Sequence, residues 1–186
     1  MSEKTELDRF IRVLKLEDSE KLITNITYPK WVNYIPGNKH LNFCKEKGVL
    51  TGSFVLSRTT LNGKKLLKRT PGDFDFKLLR KDFMELARLT NTTYNEGSNY
   101  LTLNISKGFQ FMSSNYSSND GKAYHFFGIC IHVIMVDSLS DYKESNGFKY
   151  EDPYSVMFTK HKLSCERNAD WKHKEDLKYI QSVFES

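Results

Sequence analysis

Cysteine is scarce: three in 186 residues, Cys44, Cys130 and Cys165, with no two at a pairing spacing. An odd count without a Cys-x-x-Cys step argues against a disulfide framework and against a zinc-thiolate site. It fits reduced, mostly buried thiols in an intracellular chain. Long apolar runs are missing too. The longest, Phe126 to Val136, is broken by His132 and is far shorter than the ~20 residues a membrane span needs. The N-terminal stretch MSEKTELDRF is charged and holds no apolar signal core. No repeat and no low-complexity tract is visible. The expectation is a soluble protein with no membrane partner, in the cytoplasm of a bacterium or its host cell.

Aromatics are plentiful, with 13 Phe and 10 Tyr making up 13% of residues, which argues against a disordered chain. The length suits one domain over residues 1–186. The net charge is +5. A basic balance favours polyanionic partners such as nucleic acid or nucleoside triphosphates, although solvated lysines account for it as readily.

The pattern predicts an N-terminal helical part over 1–48. Thr5 caps a first helix with Leu7, Phe10, Ile11 and Leu14 on one face, and a second helix over Asn38–Lys47 stops at Gly48. A core over 49–137 begins with a short strand, Val49–Thr51, and Gly52-Ser53 follows directly. Phe54 to Leu61 reads as a helix and Asn62 to Gly72 as a basic loop. Asp73-Phe74-Asp75-Phe76 alternates as a half-buried strand. Lys81 to Leu89 reads as a helix, and Tyr100–Ile105, Phe109–Met112 and Tyr124–Val136 as strands, the last bulged at Gly128. A polar linker precedes a helical tail over 152–186, opened by Asp152-Pro153. This order of elements predicts an α+β domain, a mixed sheet with flanking helices.

Asp73 and Asp75 are two apart on a strand, so they share a face. Two adjacent carboxylates repel, and a divalent cation bound by their oxygens relieves that repulsion. For a lone acid-x-acid pair a solvated strand face is the commoner reading. The turn upstream shifts the balance. Between a strand and a helix, Gly52 lets the backbone approach a phosphate, free N–H groups favour the anion, and the Ser53 hydroxyl adds a donor. A phosphate cradle followed by a cation-binding pair is much rarer by chance than either alone.

Val49-Leu50-Thr51-Gly52-Ser53 followed by Asp73-Phe74-Asp75-Phe76 resembles the signature of the DNA polymerase β-like nucleotidyltransferase superfamily: a hydrophobic strand, Gly-Ser, a helix and an acid-hydrophobic-acid strand. Arg69, just before the acids, fits the same pattern. The run Lys160, Lys162, Arg167, then Lys172-His173-Lys174-Glu175-Asp176-Leu177 resembles the helical tail of small bacterial and phage members, including the AbiEii-like toxins. The resemblance spans residues 49 to 177. It implies a nucleotidyltransferase-like fold in which Asp73 and Asp75 hold Mg2+ or Mn2+. Gly52, Ser53 and Arg69 would bind the triphosphate, and Lys160 or Lys162 would neutralise the leaving pyrophosphate. A nucleoside monophosphate would pass from an NTP to an RNA, a protein or a small molecule.

Two departures stand out. The spacing from Ser53 to Asp73 is long for the superfamily, so the basic loop is an insertion. The family's third carboxylate comes from mid-strand, and mid-strand here is His132; Asp137 is an acid, but sits at the strand end. Five residues apart, the two face opposite sides of an unbulged strand. His132 in the cleft favours a non-catalytic nucleotide- or nucleic-acid-binding module, possible in a phage protein. Asp137 there favours the full three-acid enzyme.

Overall fold

The computed structural model describes residues 21–91, 99–104, 111–114, 130–139, 141–166 and 171–186. It shows an α+β chain whose main sheet has seven strands. The strands of that sheet are β2 (Val49–Thr51), β5 (Asp73–Leu79), β6 (Tyr100–Asn104), β7 (Phe111–Ser114), β8 (Cys130–Val136), β9 (Tyr142–Ser145) and β10 (Phe148–Glu151). Their order is β7-β6-β8-β5-β2-β10-β9. Two neighbouring pairs are parallel, β5 with β8 and β10 with β2; the others are antiparallel. A small second sheet joins β1 (Leu22–Thr24), β3 (Thr59–Leu61) and β4 (Lys64–Lys65). The helices are α1 (Asn38–Lys47), α2 (Ser53–Ser57), α3 (Arg80–Leu89), α4 (Pro153–Glu166) and α5 (Trp171–Glu185).

β5 sits fourth of the seven strands and sets the site. Phe74, Phe76 and Leu78 are buried on one face, while Asp73, Asp75 and Lys77 line the other. Each buried side chain contributes roughly 1.5–3 kcal/mol of transfer free energy, so the apolar face fixes where the acids point. Phe54, the residue after Ser53, packs its ring 4.7 Å from that of Phe74. Tyr28 meets Phe74 edge-on at 5.3 Å. These contacts tie the Gly52–Ser53 turn to the acid strand. On β8, Ile131 and Val133 are buried and His132 alternates to the acid face.

Three segments, one inside the predicted core and one on either side of it, differ from the sequence expectation. The helix after Ser53 ends at Ser57, and Thr59–Leu61 forms β3. The basic loop then folds back as β4 through Asn62-Gly63, both at positive φ (50° and 79°). Asn-Gly suits a tight hairpin turn because both residues tolerate that backbone. Asn146-Gly147 (51° and 79°) does the same, so the predicted polar linker contains the hairpin β9–β10. The predicted N-terminal helical part includes β1, whose Thr24 Oγ1 lies 2.9 Å from Thr59 Oγ1. The helix expected around Thr5 to Leu14, the Gly128 bulge and Arg167 fall outside the described residues.

The two tail helices match the expectation. Pro153 opens α4, and the Asp152 carboxylate accepts the Tyr154 N–H at 2.9 Å. Leu177, Ile180 and Val183 of α5 are buried. Cys44 and Cys130 are buried free thiols. No helix among the described residues is long and apolar enough to cross a membrane.

Candidate functional site

Strand register brings the site together. Thr51 on β2 lies opposite Asp75, and Asp75 lies beside His132 on β8. His132 in turn lies opposite Thr102 on β6. Asp73, Asp75 and His132 each offer one ligand atom within 4.8 Å of the others, and among the described residues they are the one group of three that does so. His132 Nε2 is 3.2 Å from Asp73 Oδ2. Its Nδ1 is 3.2 Å from Thr102 Oγ1, and Tyr100 stacks on the imidazole with 5.5 Å between ring centroids.

Charge is unevenly divided between the two acids. Burial and the neighbouring Asp73 push the Asp75 carboxyl up to about 7, against the pull of His132, Lys160 and Lys172. Burial also acts to raise Asp73, but the His132 hydrogen bond and charge, with Lys172 and Arg69, outweigh it and hold Asp73 below the usual carboxylate range. Burial alone would lower His132; the Asp73 bond and both carboxylate charges raise it instead. The cluster therefore favours an ionised Asp73 and the charged form of the imidazole, while Asp75 is partly protonated near neutrality.

The turn at Gly52 meets Asp75 directly. Gly52 has φ 73° and ψ −161°, a conformation essentially reserved for glycine. A Cβ there would lie 2.1 Å from Asp75 Oδ2. The absence of a side chain at 52 is thus what lets Asp75 stand against the turn.

Ser53 opens α2 and is nearly buried. Its Oγ accepts from Lys160 Nζ at 2.8 Å and from Arg69 at 3.0 Å. Both cations are held by Asp176 on α5: Arg69 donates through two nitrogens at 2.9 and 2.7 Å, and Lys160 at 2.9 Å. Lys160 also lies 3.3 Å from His173 Nδ1. Burial lowers the Lys160 pKa, with help from the Arg69 and Lys172 charges and against Asp176. Asp176 is held low by Arg69 and Lys160, which overcome the effect of its own burial. Two cations thus share one carboxylate beside Ser53.

Of the residues singled out in the sequence, the structure unites Gly52, Ser53, Arg69, Asp73, Asp75, His132 and Lys160. Lys162 lies on the exposed surface of α4. Asp137 is exposed just beyond the end of β8. The β5–β8 register runs unbulged from Asp73↔Cys130 to Leu79↔Val136, so Asp137 lies at the opposite end from the acids. Sequence reasoning gave no specific role to Asp176, Thr102 or Glu151. Asp176 stood in the tail motif as part of an Asp-Leu pair. Glu151 is buried, accepts a very short hydrogen bond from Thr51 Oγ1 and pairs with Lys77 at 3.2 Å. Its charge is thereby matched within the sheet by Lys77. No protein-family model, curated protein or solved structure matches the chain.

Proposed function

We propose that this chain is a nucleotidyltransferase that moves a nucleoside monophosphate from a triphosphate to an RNA, protein or small-molecule acceptor. One observation carries the reading: Asp75, of the partly buried pair Asp73 and Asp75, stands against the Gly52–Ser53 turn, on which Arg69 and Lys160 converge. The resemblance to the polymerase β-like superfamily rests on the same residues.

Asp73 and Asp75 are the residues that would hold a divalent cation, Mg2+ or Mn2+. Their oxygens suit such an ion, and their mutual repulsion gives it a reason to bind. When bound, the ion supplies charge neutralisation at the phosphates and activation of the attacking group. The chain's own groups do the rest. Arg69 and Lys160 carry two positive charges against the one carboxylate of Asp176, leaving a net positive charge for the β- and γ-phosphates and for the departing pyrophosphate. Asp176 holds both cations in place before any ligand arrives. The bare Cα of Gly52 lets the Asp75 carboxylate stand against the turn that would meet the phosphates.

A second reading is a non-catalytic nucleotide- or nucleic-acid-binding module. It is favoured by His132, which stands where the superfamily carries its third acid, with Asp137 at the far end of β8. One incubation separates the two: each labelled NTP with Mg2+ or Mn2+, total RNA and total protein, for the wild type and Asp73→Ala/Asp75→Ala. Label transfer with pyrophosphate release, lost in the variant, supports the transferase. Triphosphate binding without pyrophosphate release supports the module. Neither would refute both.

A further inference from the structure

We infer that His132 is itself a metal ligand, and that the site therefore selects a first-row transition-metal dication over Mg2+, with Mn2+ as the usable spectroscopic probe. The inference rests on the reading of Asp73 and Asp75 as cation-binding residues and adds the identity of the third ligand and of the ion.

Three observations carry it. First, His132 stands in the ligand group itself. Its Nε2 lies 3.2 Å from Asp73 Oδ2, and two neighbouring ligands about 2.1 Å from one cation are separated by roughly 3.0–3.4 Å. Second, the other ring nitrogen is engaged. Thr102 Oγ1 lies 3.2 Å from Nδ1; in the tautomer that donates Nδ1–H to this hydroxyl, Nε2 is left for the metal, the outer contact by which ligating histidines are oriented. Tyr100 stacked on the ring holds its plane. Third, among the described residues no carboxylate replaces the imidazole. Glu151 is engaged with Thr51 and Lys77, and Asp137 lies at the other end of β8.

The ligand set is then two carboxylates and one imidazole. Mg2+ takes oxygen ligands and keeps its waters, whereas imidazole suits Fe2+, Ni2+, Cu2+ and Zn2+ best, and Mn2+ is the weakest binder of that first-row series. On binding, the proton on Nε2 leaves to solvent, the Nδ1–H stays with Thr102, and the Nε2 lone pair goes to the ion.

The probe is Mn2+ alone, added to the full chain and read by electron spin-echo spectroscopy for directly bound 14N, with competition against Mg2+ in the wild type and in His132→Asp. The expected result is a nitrogen coupling in the wild type that disappears in His132→Asp. The Mn2+-over-Mg2+ preference should fall at least about tenfold in the variant. No nitrogen coupling in the wild type, or a preference unchanged in His132→Asp, overturns the assignment. The wild-type spectrum needs no variant to fold. Nitrogen ligation without nucleotidyl transfer supports this assignment while sinking the transferase. Transfer with Mg2+ and no nitrogen coupling does the reverse.

Discussion

Gly52→Ala is the substitution whose consequences the geometry fixes most closely. Two costs add. The backbone at φ 73°, ψ −161° strains any residue with a Cβ by about 1–3 kcal/mol. The new Cβ also falls 2.1 Å from Asp75 Oδ2 and 2.9 Å from its Cγ, so the carboxylate must retreat by about 1 Å, and overpacking of this kind costs about 1–3 kcal/mol. The sum is roughly 2–6 kcal/mol, read as a shift of the urea midpoint at constant slope. Gly63→Ala is a reference for a positive φ without a clash, since Gly63 has φ 79° and nothing within 4 Å of the added Cβ; about 1–2 kcal/mol is expected. The clash is isolated by a double-mutant cycle with Asp75→Ala, which leaves only the Asp75 Cβ, 3.1 Å away. A coupling of about 1–2 kcal/mol should appear, with Gly52→Ala costing less once the carboxylate is gone. Additivity within about 0.5 kcal/mol, or a Gly52→Ala no worse than Gly63→Ala, would refute the claim that the turn and the acid share one packed contact.

Asp176→Asn removes the common counter-ion of Arg69 and the buried Lys160, so denaturant unfolding should show a loss of about 3 kcal/mol; an unchanged midpoint would show that water already screens the pair. The metal-free chain should lose stability as pH rises. The folded pKa of Asp75 is raised to about 7, so its contribution is full below about 4 and fades as pH climbs through 7. The raised His132 extends the loss above about 6.5, whereas the depressed Asp73 and Asp176 cost stability only on acidification below about 4. Thermal melts in EDTA between pH 4.5 and 8 should therefore fall, and Mn2+ should flatten the fall; a midpoint rising across that range would contradict the charge arrangement.

The elements that position the site could be read in the sequence because each carries a period. Asp73 to Phe76 alternates strictly, and its apolar residues are the buried ones. Gly52-Ser53 between an apolar triplet and Phe54 marked the turn. The hairpins at Asn62-Gly63 and Asn146-Gly147 went unread although Asn-Gly is a strong hairpin signal. Their flanks, Lys64-Lys65 and Tyr142–Ser145, are polar or exposed and show no apolar alternation. Asp176 could not be singled out among the charges of α5. Its importance comes from partners 107 and 16 positions away, Arg69 and Lys160, and no local pattern encodes such a pairing. The choice between His132 and Asp137 turned on whether β8 bulges, which depends on pairing with β5 and β6 rather than on the strand's own residues.

The central claim is that the acid pair and the Ser53 turn form one site for a cation-bound triphosphate. Calorimetry with a non-hydrolysable NTP analogue tests it most directly, in the wild type and in Asp73→Asn/Asp75→Asn, with and without Mg2+ or Mn2+. The double substitution removes the repulsion between the acids but also the Asp73–His132 ion pair, so a urea melt of the variant accompanies the titration to show that it is folded. The account predicts that the wild type binds the analogue only with a divalent cation and that the folded variant has lost that dependence along with the binding. Unchanged cation-dependent affinity in the folded variant would contradict it.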